Sequence, residues 1–126
     1  MIENFYQQCQ KIFWEEKRIF FPYVFAFIGF FLMMFLIWNK MPRVTLGGYE
    51  TFPLHYNVHF GINYVGKWYE ILFLPLGGFV LLIMNMMLTW FLYDRGSIFG
   101  YFLSFASLGI ILILFVSIIF ILLFNI

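Results

Sequence analysis

The residues of this chain best suited to chemistry are His55 and His59, within Pro53-Leu54-His55-Tyr56-Asn57-Val58-His59-Phe60-Gly61-Ile62-Asn63. On a helix, two histidines at i and i+4 share a face and can hold one metal ion. The surrounding pattern argues against a helix. Leu54, Tyr56, Val58, Phe60 and Ile62 alternate with His55, Asn57, His59, Gly61 and Asn63, the period of a strand with one apolar and one polar face. At ~3.3 Å per residue the two imidazoles then stand ~13 Å apart, too far to chelate one ion unaided. No cysteine joins them, and the acids nearest in the chain are Glu50 and Glu70. No metal and no cofactor is therefore expected. Nor does the chain carry a Gly-x-Ser-x-Gly elbow, a phosphate-binding glycine loop or paired carboxylates, so no enzymatic activity is expected. The stretch reads instead as a binding surface, with His55, Tyr56, Asn57, His59 and Trp68 as its candidate contacts.

Composition says what holds that surface. Of 126 residues, 64% are apolar and only 10% are charged, against about 45–50% and about 25% in soluble domains. A water-facing fold of this size cannot cover so much apolar surface, which implies an integral membrane protein with membrane lipids around it. A net charge of +1 leaves no electrostatic footprint for nucleic acid. The single cysteine, Cys9, cannot form an internal disulfide. It reads as a small apolar residue on a helix face, with S-acylation beside a membrane span as the alternative.

The fold class expected is all-α and membrane-embedded: three transmembrane helices, an N-terminal interfacial amphipathic helix, and a small β-hairpin or strand element in the first extracytoplasmic loop. In residues 1–18, Ile2, Phe5, Tyr6, Cys9, Ile12 and Phe13 recur at helical spacing, opposite Glu3, Asn4, Gln7, Gln8, Gln10 and Lys11. Such a helix beside a span is expected to lie in the interface plane. Residues 19–38 form the first span, ~30 Å of helix, which matches the hydrocarbon thickness. The run is too long for a cleaved signal peptide and no small-residue cleavage site follows it. In the loop, 39–70, Arg43–Leu46 and Tyr49–Phe52 flank Gly47-Gly48, which predicts a tight hairpin there, followed by the Pro53–Asn63 strand. Residues 71–93 form the second span, with Pro75 near its start as a possible kink. A cytoplasmic turn at 94–97 forces the third span, 98–124, to run antiparallel to the second.

Within the spans the informative residues are small or polar. Asn85, deep in the second span, needs a hydrogen-bond partner on another helix. Gly96, Gly100, Ser104 and Ser107 recur at i, i+4, i+8 and i+11, a stripe that lets a second helix approach closely. That helix is either the second span of the same chain or another subunit. No ionisable group lies inside a span, which argues against a transport path through one copy. Lys11, Lys17, Arg18 and Arg95 on the N-terminal side outnumber Lys40, Arg43 and Lys67 in the loop. The positive-inside rule then places the N-terminus in the cytoplasm and the C-terminus outside, in the plasma membrane.

Pro53, His55, Tyr56, Asn57, Gly61, Gly66 and Lys67 form the pattern Pro-x-His-aromatic-Asn, glycine, then Lys before a membrane span. Over roughly residues 40–95 this resembles a bacterial domain of unknown function that also occurs in the sporulation-delaying-protein immunity family. Asn63 stands where that family usually has an acid. The chain is also similar to small three-span proteins of bacteria with reduced genomes. The resemblance implies a multi-pass topology and carries over no enzymatic activity. The function expected is that of a binding or structural component, an accessory subunit or envelope protein acting through the extracytoplasmic loop. The alternatives are an immunity or sensor protein that binds a peptide or toxin, and a homo-oligomeric pore.

Overall fold

A computed structural model describes residues 1–46, 51–57, 59 and 61–124, with the backbone alone for 13, 41–46, 51–57, 61–68 and 124. Helix α1 spans Ile2–Trp14, α2 Lys17–Leu46, α3 Phe73–Leu92 and α4 Ser97–Phe124. Strands β1, Thr51–Asn57, and β2, Gly61–Lys67, form a two-stranded antiparallel sheet between α2 and α3. Three stretches, Lys17–Lys40, Tyr69–Arg95 and Ser97–Leu123, are long and apolar enough to cross a membrane, and they suit a multi-pass protein.

The bundle is organised by α4, which packs along both α2 and α3, whereas α2 and α3 touch each other far less. Small residues decide these contacts. Ile111 of α4 is buried between Gly29 of α2 and Gly78 of α3. A methyl group built on Gly29 would lie 2.7 Å from Ile111 Cγ2, and one on Gly78 would lie 2.6 Å from Leu114 Cδ1. At the other end the roles reverse: a methyl on Gly100 of α4 would lie 2.7 Å from Ile19 Cδ1 and 3.3 Å from Thr89 Cγ2. In hydrocarbon the association of helices relies on such close packing, because lipid tails are as apolar as the side chains. Outward faces carry the large apolar residues, among them Phe31, Phe35, Phe102 and Ile113.

Several local expectations are corrected. The first helix does not stop at Trp38 but continues to Leu46, so Arg43–Leu46 is helical and not one arm of a hairpin at Gly47-Gly48. Pro42 forgoes one ladder bond near the end of the apolar stretch, where water can serve the freed carbonyl, and the β-branched Val44 and Thr45 follow the helix they extend. Gly47–Glu50 lie outside the described residues. Pro53–Asn63 is not one strand: β1 ends at Asn57, which pairs with Gly61 at the start of β2. His59 lies in the turn between them, and its neighbours Val58 and Phe60 lie outside the described residues. The alternating pattern runs on through this three-residue connection, so periodicity alone could not locate the turn.

Pro75 falls in the first turn of α3, where the backbone N–H it lacks has no intrahelical partner to lose. Ile71 and Leu72 belong to a 3-10 turn, Trp68–Leu72, that leads into α3. A second one, Tyr93–Arg95, closes α3. Gly96 then takes φ 154°, a conformation glycine accepts without strain, and the chain reverses into α4.

Candidate functional site

Two groups of residues carry polar chemistry: a hydrogen-bonded track inside the bundle and the strand segment between α2 and α3.

The track begins at the N-terminal end of α2. Glu16 precedes the helix, and its backbone carbonyl accepts from Ile19 N at 3.0 Å. A carboxylate in this position also suits the positive end of the helix dipole. Tyr101 of α4 donates to Glu16 Oε2 at 2.6 Å, and Tyr93 donates to Oε1 at 3.5 Å. One carboxylate therefore ties the starts of α2 and α4 to the end of α3. Deeper in, the buried Tyr23 hydroxyl donates to the Asn85 carbonyl at 3.0 Å and lies 2.6 Å from Thr89 Oγ1. The Asn85 side-chain amide donates to Ser107 Oγ at 2.9 Å, and Ser107 in turn donates to the Leu103 carbonyl at 2.8 Å. Ser104, fully buried, returns its hydroxyl to the Tyr101 carbonyl at 2.9 Å.

These bonds satisfy polar groups that would be costly to leave open in hydrocarbon. The partner of Asn85 lies on α4. The stripe of Gly100, Ser104 and Ser107 faces α2 and α3 of its own chain, with Gly96 at the preceding reversal. It is taken up against α2 and α3 within this one chain. Sequence spacing gave no sign of Tyr23 as a member of this track. A tyrosine in the second turn of a span is ordinarily a boundary aromatic, and only the facing Thr89 shows its role.

Helix α1 is held against the same end of the bundle. Phe5 meets Trp90 edge to face, with centroids 4.6 Å apart and planes at 74°. Gln8 Nε2 approaches the Trp90 carbonyl at 3.5 Å, and Ile12 packs on the core. Ile2, Tyr6 and Trp14 remain exposed. The indole N–H of Trp90 is buried without an acceptor among the described residues.

Of the loop candidates, His55, Tyr56 and Asn57 lie in β1 and His59 in the turn, where it is exposed. Trp68 opens the 3-10 turn before α3. The two histidines therefore do not share one strand, and the ~13 Å separation computed for an uninterrupted strand does not apply. The side chains of His55, Tyr56, Asn57 and Trp68 lie outside the described residues, and with them the assignment of Tyr56 and His59 to opposite faces. Among the described residues, no group of three metal-binding side chains converges.

The ladder itself is irregular. Thr51, Phe52 and Pro53 pair with Lys67, Gly66 and Val65, then His55 with Tyr64, and Tyr56 and Asn57 with Ile62 and Gly61. Leu54 is thus extra on β1 and Asn63 extra on β2, and the two shifts cancel. Each irregularity interrupts pairing and sharpens the local twist. β1 also lies against α4, which places the sheet at the bundle end opposite α1.

No family model matches the chain, and it has no match among curated proteins or solved structures.

Proposed function

We propose that this chain is a binding or structural component of the plasma membrane, an accessory subunit or envelope protein with its N-terminus in the cytoplasm. Its extracytoplasmic segment between α2 and α3 engages a protein partner. The observation that carries this reading is the two-stranded ladder of β1 and β2. Two strands alone are marginal in water, and each has one edge with no further strand beside it among the described residues. Recognition by strand addition uses the backbone groups of such an edge, with neighbouring side chains setting specificity. The polar track does not compete as an active site, because its hydroxyls and amide are spent on one another across three helices. On this reading α1 lies in the cytoplasmic interface as an amphipathic helix, with Phe5 and Ile12 toward the bundle.

The test is crosslinking in intact cells with a membrane-impermeant amine reagent, followed by identification of the adducts. A discrete heteromeric adduct is expected. It should disappear with Tyr64→Pro, which removes a backbone donor from β2. Adducts of this chain with itself alone, or none, would reject the partner reading.

A further inference from the structure

Two grooves flank α2. One, of about 430 Å³, runs between α1, α2 and α3 beneath Cys9 and beside the Tyr23–Thr89 pair, and no charged side chain lines it. The other, of about 520 Å³, runs between α2 and α4. Its walls are Phe21, Pro22, Phe25, Phe105 and Leu108, and Arg18 and Tyr101 stand at its outer end. From Arg18 to Phe25 it follows about 10 Å of helix into the apolar layer. Phe21, Phe25 and Phe105 are all more than half exposed, so none of the described residues of this chain covers the walls.

Arg18 is the one charged residue lining this groove. It is exposed and forms no ion pair among the described residues. The nearest carboxylate along the chain, Glu16, is already engaged by the Tyr101 and Tyr93 hydroxyls. The guanidinium stands near enough to the Tyr101 hydroxyl to act on it electrostatically, and its five N–H donors make no hydrogen bond among the described residues, which leaves them open to a further acceptor. A phosphate matches that fork in charge and geometry, and a boundary arginine sits at headgroup level with its stem on apolar surface.

We propose that the α2–α4 groove binds an anionic glycerophospholipid, with one acyl chain along Phe21, Phe25 and Phe105 and the phosphate on Arg18. The inference rests on the helices spanning a bilayer, and charge complementarity at Arg18 selects the lipid class.

The experiment is native mass spectrometry of the full chain in detergent, titrated with phosphatidylglycerol or phosphatidylcholine bearing the same acyl chains. The wild type should retain the anionic lipid about fivefold more, the value of one basic side chain at a membrane surface. Arg18→Gln should bring the two lipids to parity, and Lys17→Gln, a change at a residue outside the groove, should leave the preference intact. A phosphatidylglycerol with a photoreactive acyl chain should label peptides containing 21–25 and 105–108. Equal retention of both lipids by the wild type, a preference that survives Arg18→Gln, or labelling spread evenly over Phe31 and Phe120 would overturn the site. Membrane residence is checked separately by alkaline carbonate washing: a chain released by the wash removes the spanning reading as well, whereas a retained chain with equal adducts removes the lipid site alone.

Discussion

Asn85 carries an amide into a layer that offers it no water, and the bond to Ser107 at 2.9 Å is how the bundle answers it. A double-mutant cycle of Asn85→Ala and Ser107→Ala, read as unfolding free energy in bicelles, should give a coupling of about 0.6 kcal/mol, the average for interhelical hydrogen bonds in a bilayer. A coupling of zero would mean that the bond positions the helices without stabilising them. Much of this was legible in the residues. An asparagine amid Leu and Met demands a partner, and glycines and serines three or four apart mark a close-packed face. What spacing on one helix cannot show is which neighbour fills that face. Tyr23 was missed for that reason: it is an unremarkable residue until its hydroxyl lies 2.6 Å from that of Thr89. The buried indole N–H of Trp90 was equally invisible, since its isolation follows from how Phe5 and α1 cover it.

Helices announced themselves at the scale of elements, and their ends did not. An apolar run of twenty residues sets a minimum length, but nothing in α2 forces a stop at the edge of the apolar layer, and its 30 residues extend to Leu46. The strands were legible in period and misplaced in turn: Gly47-Gly48 was the stronger turn signal by residue type, yet the ladder closes across 58–60 between Asn57 and Gly61. Register can be checked directly. In a Cys9→Ser background, Asn57→Cys with Gly61→Cys should form a disulfide under mild oxidation, because directly paired residues bring their Cβ atoms within reach. Arg43→Cys with Phe52→Cys, the pair expected of a hairpin at Gly47-Gly48, should stay reduced. The reverse outcome would place the turn at Gly47-Gly48.

In the whole molecule α4 is the common wall: it supplies Ile111 to Gly29 and Gly78, and it receives Ile19 at Gly100. This arrangement has a consequence for biosynthesis. α4 follows α2 and α3 in the chain and leaves the ribosome after them, so α2 and α3 enter the membrane before either has its principal neighbour. During that interval the Asn85 amide has no Ser107 to meet, and Glu16 has no Tyr101. A nascent chain stalled just after Arg95 should therefore be held by insertion machinery or degraded, and pulse-chase should show it turned over faster than the chain that includes α4. Equal lifetimes would mean that α2 and α3 already make a stable pair. The step that commits α2 and α3 to their packing is then the release of α4, a kinetic checkpoint written into the order in which the chain is made.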